Sequence, residues 1–273
     1  MPGTEQVALW SAIRANPDDD TPRLVYADWL QENGDEDRAE FIRVQCALAA
    51  SPRTKAKERQ ALEVKEQRLH KLHREKWLEP FRKLFRSAKK WHPTDLWFTR
   101  FVFRRGFVAT EALGSAPLKL LTQSRDTLEP IAIETAVIPQ SEYHINLLKA
   151  LARWCGATTI TSLSFGNARD SDIESIIAGN KLCRLRVLGL GLGTVSDVGV
   201  AALAAWPFAI SLRDVSLRYN SITHKGACVL ADSPYLTSIV RLNLSGNRIG
   251  PDGANRLRKR FGDKLVIERP RTE

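Results

Sequence analysis

Leu190, Leu217 and Leu244 stand 27 residues apart in this 273-residue chain. Three further series keep the same step: Val195, Ile222 and Ile249; Gly199, Gly226 and Gly253; Leu203, Leu230 and Leu257. Four positions that share one period define a repeated structural unit. Such a unit cannot bury its apolar face alone, so neighbouring units must cover one another and the chain must stack.

Each unit reads L-x-x-L-x-L-x-x-N-x-I, as from Ile239 through Leu242, Leu244 and Asn247 to Ile249. The pattern and the period are similar to those of the leucine-rich repeat, and the length resembles the ribonuclease-inhibitor-type subclass. The resemblance implies an α/β fold: a short solenoid with a parallel sheet on its concave side, helices on its convex side and right-handed crossovers. Repeat strands are expected from Leu185, Leu212 and Ile239, each followed by a turn and a helix. Asn220 and Asn247 fall in the turns, where an amide can satisfy backbone groups left open by the bend. Gly193 takes that place in the first clear unit, so the ladder should be weaker there.

Upstream the rhythm decays. Leu163 to Phe165 with Ile173, Ile176 and Ile177 suggest one shorter repeat. Leu128, Ile131 and Ile133 with Leu147, Leu148 and Leu151 suggest another, and Val102 to Val108 with Leu118, Leu120 and Leu121 a first irregular one. Leu265, Val266 and Ile267 can cover the last open edge.

Alternation places Val187, Gly189, Gly191, Asp214, Ser216, Arg218, Arg241, Asn243 and Ser245 on the outward strand face. From these, Asp214, Ser216, Arg218, Arg241, Asn243 and Ser245 are the candidate partner-binding residues. Arg218 and Arg241 can form charge-assisted bonds to an acidic partner. Asp214 and Arg241 can also pair with each other across neighbouring strands.

The N-terminal segment is helical. Gln6 to Ala15 ends at Asn16-Pro17, because a residue before proline leaves the helical region. Thr21 is a good N-cap with Pro22 at the first helical position, and Asn33-Gly34 closes that helix. Asp35 can cap a third helix bearing Phe41, Ile42 and Cys46. The run Asn16-Pro-Asp-Asp-Asp-Thr-Pro-Arg-Leu-Val-Tyr-Ala-Asp-Trp-Leu-Gln-Glu-Asn-Gly-Asp35, followed by Arg38-Ala-Glu-Phe-Ile-Arg-Val-Gln45, resembles the repeat-companion domain of planctomycete-type bacterial proteins. Phe103-Arg-Arg-Gly-Phe-Val108 is similar to that family's junction into the repeats. The resemblance implies an architecture rather than an activity. Asp18, Asp19 and Asp20 read as helix-start acids and Asp28 as a partner for Arg38 or Arg43, with no EF-hand spacing.

The net charge of +10 is uneven: residues 1–37 carry −7, 38–105 carry +12 and 106–273 carry +5. Residues 53–79 are rich in helix formers, with a narrow stripe of Leu62, Leu69, Leu72 and Trp77, and the helix is expected to continue beyond Pro80. A polyanion would be drawn to this middle segment first. Arg82, Lys83, Arg86, Lys89 and Lys90 could neutralise phosphates, and Trp91 could stack on bases. No known nucleic-acid motif accompanies them. His70 and His73 share a helix face but lack further ligands, which makes an exposed helix surface the simpler reading.

Three segments follow: a helical companion domain (1–50), a basic helical connector (51–105) and a repeat domain (106–273). Nucleophile elbow, P-loop and dinucleotide-binding glycine patterns are missing, so no catalytic residue, metal or cofactor is expected. Neither a membrane-spanning run nor a signal peptide is visible. Four scattered cysteines, read as mostly buried, suit reduced thiols in the cytoplasm. The leading expectation is a scaffold or adaptor that binds another protein through the concave sheet. The alternative is nucleic-acid association through residues 53–105.

Overall fold

Proline and aspartate punctuate the first helices as their chemistry requires. Helix α1 (Thr4–Ala15) ends at Asn16, and α2 (Thr21–Glu32) starts with proline in its first turn. The helix starts at Thr21, so Asp20 rather than Thr21 is the N-cap residue, and the Asp19 carboxylate accepts the Thr21 N–H at 2.9 Å. Helix α3 spans Glu36–Ala50. Helix α4 runs unbroken from Ala56 to Arg86, with Pro80 inside it. The computed structural model describes residues 3–50, 56–86, 101–110, 132–133, 135–138, 148–149, 151 and 159–268. The chain is α/β and divides into two compact units. Met1–Glu111 with Gln123–Ile133 form the first, and Ala112–Thr122 with Glu134–Glu273 the second.

In the first unit Trp10, Ile13, Tyr26, Ala27, Leu30, Ala39, Ile42, Cys46 and Phe107 make one apolar core. Phe41, Leu69 and Trp77 make another, with Phe103 against it. Leu78 and Phe81 are also buried, whereas Leu72, read as part of the stripe, is exposed. Leu24 and Val25 are exposed too; α2 buries Arg23, Tyr26, Ala27 and Leu30 instead. Arg38 is sunk among aromatics, its guanidinium 4.8 Å from the Trp77 ring centre and 5.4 Å from that of Phe103. His70 stacks on Phe41 and His73 on Trp77, so both rings are half-buried packing groups rather than exposed ones.

The stretch read as a first irregular repeat is an antiparallel hairpin, β1 (Phe101–Arg104) with β2 (Phe107–Thr110). Its two turn residues, Arg105 and Gly106, both have positive φ, 50° and 84°. That is the twist-matched turn for a two-residue hairpin. A Cβ on Gly106 would lie 2.6 Å from the Ile42 Cα, so only glycine lets the turn seat on α3. The Gln45 side chain accepts the Gly106 N–H at 2.7 Å. Arg105 donates to the Asp18 carbonyl and the Asp20 carboxylate at 2.9 and 2.8 Å. Strand β3 (Ala132–Ile133) adds in parallel to β2, so Ile133 belongs to this sheet and not to a repeat.

The second unit is built on a six-stranded parallel sheet, β4 (Thr135–Ile138), β5 (Ser162–Phe165), β6 (Val187–Gly189), β7 (Asp214–Ser216), β8 (Arg241–Asn243) and β9 (Leu265–Val266). Ala136, Leu163, Leu188, Val215 and Leu242 lie in register along it. The step between paired residues is 27 from β4 to β5, β6 to β7 and β7 to β8, 25 from β5 to β6 and 23 from β8 to β9. Each of β5 to β8 is followed by a helix: α5 (Asp170–Ala178), α6 (Asp197–Ala205), α7 (His224–Asp232) and α8 (Pro251–Phe261). The strands proper are shorter than their apolar pattern. Leu185, Leu212 and Ile239 are buried two residues ahead of them.

Candidate functional site

Side chains in the turns bind each repeat to its neighbour. Asn220 is buried, and its amide oxygen accepts the Val195 N–H at 3.0 Å. Its NH2 donates to the carbonyls of Leu190 (2.7 Å) and Leu217 (3.1 Å). Asn247 repeats the arrangement one unit on, accepting from Ile222 at 3.1 Å and donating to Leu217 and Leu244 at 2.8 and 2.9 Å. At Gly193 no side chain is available, and a Cβ would lie 2.3 Å from the Ala168 carbonyl oxygen. The backbone bond Thr194 N–H to Ala168 O at 2.8 Å is the one that the next two units also make, Ser221 to Val195 and Arg248 to Ile222 at 2.9 Å, so it holds the ladder in step without an amide.

A second ladder, which sequence reading missed, runs along the helix starts. Asp170 accepts the N–H and the hydroxyl of Ser196 at 2.8 and 2.6 Å. Asp197 accepts those of Thr223 at 2.8 and 2.5 Å. Ser196 and Thr223 also cap α6 and α7 by accepting from Val198 and Lys225. Burial works against the Asp197 anion, but the Thr223 hydroxyl and the Thr223 and Gly226 N–H groups outweigh it and hold the carboxyl below its ordinary pKa. The signal was present as Asp–Ser and Asp–Thr pairs 26 residues apart, ending where His224 and Gly250 take the equivalent places.

These ladders tie successive units together beside the strand face. Asp214 is half-buried there and in register with the exposed Arg241. Among the described residues, no ion pair joins them. Ser216 and Asn243 are half-buried neighbours, and Arg218 is exposed. Ser245 departs from the expected outward position: it is buried, and its hydroxyl accepts the Glu268 N–H at 3.0 Å. Strand β8 ends at Asn243, so simple alternation no longer applies at Ser245. Beside the strands, Leu192 and Tyr219 hold positive φ (56° and 53°) and are 54% and 53% exposed. Bulky residues in that conformation are strained by about 1–2 kcal/mol, which the stacked backbone bonds Leu192 N–H to Arg218 O and Tyr219 N–H to Ser245 O offset.

The basic helix presents a different picture. Arg82 is bridged to Glu75, and Lys83 is exposed. Lys65 pairs with Glu40, and Lys76 lies 3.8 Å from Asp35. Arg86 is the last residue of α4; Lys89, Lys90 and Trp91 lie outside the described residues. Cys46 is buried, and burial pushes its thiol up to about 12. Cys183 and Cys228 are half-exposed rather than buried, and Cys155 lies outside the described residues. Among the described residues no three His, Cys, Asp or Glu side chains gather as metal ligands. No helix among them is long and apolar enough to cross a membrane.

The strand-and-helix geometry of the second unit is that of a repeat. A family model described as Leucine Rich repeat matches residues 235–257, which cover β8 and the start of α8. No curated protein matches the chain.

Proposed function

We propose that this chain is a non-enzymatic protein-recognition module, a scaffold or adaptor. Its repeats stack as a short solenoid whose concave strand face, with Asp214, Ser216, Arg218, Arg241 and Asn243, receives another protein. One observation carries this reading: Arg241 and Asp214 are neighbours in register, yet no ion pair among the described residues satisfies either. A solvated sheet face would gain from joining them; an unbridged pair on a rigid frame is poised for a partner. The leucine-rich repeat at residues 235–257 supports the reading, since repeats of this kind build extended recognition surfaces. Nucleic-acid binding by residues 53–105 rests on charge alone.

The test is affinity purification from the native host, with nuclease-treated and untreated lysates. The double variant Arg218→Glu, Arg241→Glu should lose the retained protein, and Lys89→Gln with Lys90→Gln should keep it. Retention by the first variant, or loss on nuclease treatment, would contradict the proposal.

A further inference from the structure

Arginines enter the sheet with the strands. The Arg186 carbonyl accepts the N–H groups of both Arg213 (2.7 Å) and Asp214 (3.0 Å). The Arg213 carbonyl accepts those of Val240 (2.7 Å) and Arg241 (2.9 Å). These bonds keep the strand entries in step, with neighbouring strands about 4.8 Å apart. Arg186 and Arg213 are thereby fixed one residue ahead of β6 and β7, Arg241 opens β8, and Arg218 stands just beyond the end of β7. All four are exposed, and among the described residues none enters an ion pair. Asp214 is the lone carboxylate among the outward positions of β6, β7 and β8. Like charges carried by neighbouring repeats repel one another, and each guanidinium is a fork of donors matched to carboxylates.

The floor among these arginines is small and polar. A Cβ on Gly189 would lie 2.6 Å from the Ser164 Oγ, and one on Gly191 would lie 3.1 Å from the Arg218 Cγ. Ser164 fills the space a side chain would take at Gly189 and the Arg218 stem lies over Gly191, so the surface between them carries no bulky apolar group and offers the Ser164 and Ser216 hydroxyls and the Asn243 amide as partners for peptide groups. Asp214, in the middle of the face, repels a phosphate backbone but accepts a peptide N–H. We propose that the face formed by β6, β7 and β8 binds an acidic polypeptide segment in extended form, its carboxylates on Arg186, Arg213, Arg218 and Arg241. This rests on the strand face being the recognition surface, and it names the chemistry of the partner.

The probe is a fluorescein-labelled alternating Glu-Ala peptide, titrated by anisotropy with the full chain. A single-stranded oligonucleotide of equal charge is titrated alongside. The peptide should bind, weaken as salt rises from about 50 to 200 mM, and bind about tenfold or more weakly to the variant with all four arginines changed to Gln. The melting curve of that variant should match the parent. Arg68→Gln with Lys71→Gln, two exposed cations of α4, should bind the peptide as the parent does. Equal peptide affinity for parent and four-arginine variant overturns the proposal. So does tighter oligonucleotide binding through the same arginines, or no peptide binding. A Ser216→Trp variant separates the two levels of the account. If the peptide fails but Ser216→Trp still abolishes retention of the host protein, the acidic class is wrong and strand-face recognition stands. If Ser216→Trp also leaves retention unchanged, both are wrong.

Discussion

The carboxylate of Asp197 receives both the backbone N–H and the hydroxyl of Thr223, one repeat further along, at 2.8 and 2.5 Å. One side chain thus anchors two helix starts, because Thr223 in turn caps α7. Asp197→Ala removes both acceptors and should cost about 1–3 kcal/mol. Urea unfolding should show a lower midpoint with an unchanged slope.

The same contact carries a pH dependence. The Asp197 pKa is depressed in the folded state, so its stabilisation is fully present above the unfolded carboxyl value of about 3.9 and is lost as pH falls through the lower folded value. The stability difference between the parent and Asp197→Asn should therefore shrink between pH 6 and pH 3 (roughly the window that linkage requires). A constant difference across that range would show that the charge of Asp197 is immaterial.

Asn220 and Asn247 do the same work at different depths. Asn220 is buried, and its truncation strands the Val195 N–H and the Leu190 carbonyl. Asn220→Ala should cost about 2–4 kcal/mol, and Asn247→Ala less, since Asn247 is half-buried. Thermal melts of the two variants give the order directly.

Gly106→Ala should destabilise the first unit by about 2–4 kcal/mol, combining a left-handed turn residue with overlap on Ile42. Arg43→Ala breaks only a surface pair with Asp28 at 2.6 Å and should cost under about 1 kcal/mol. Tryptophan fluorescence during denaturation reports on both, through Trp10 and Trp77.

The regular repeats were legible because burial repeats with the chain: Leu190, Leu217 and Leu244 are all fully buried, and the turn asparagines bond as their position implied. The upstream strands were harder. Strand β4 keeps the 27-residue step to β5, but the next step is 25, which breaks the period by eye while leaving Leu163 and Leu188 in register. Phe101 to Thr110 carries apolar residues like a repeat strand, and the pairing was decided by the Arg105-Gly106 turn instead. Part of the N-terminal motif is internal: Arg23, Tyr26, Arg38, Phe41 and Ile42 are buried, and Gln45 fastens the hairpin. On the strand face, the outward positions of Arg241 and Asn243 were readable from alternation, whereas Arg218 lies past the end of β7. Ser245 was not, because the chain after β9 continues alongside it and donates the Glu268 N–H to its hydroxyl. Arg186 and Arg213 escaped notice because they precede the strands and lie outside the alternation.

The central claim is that the strand face meets a protein. A photo-cross-linker placed at Ser216, and separately at Lys83, tests it in the native host. A discrete, nuclease-resistant protein adduct is expected from Ser216 and none from Lys83. An adduct from Lys83 alone, or nucleic acid cross-linked at either position, would contradict it.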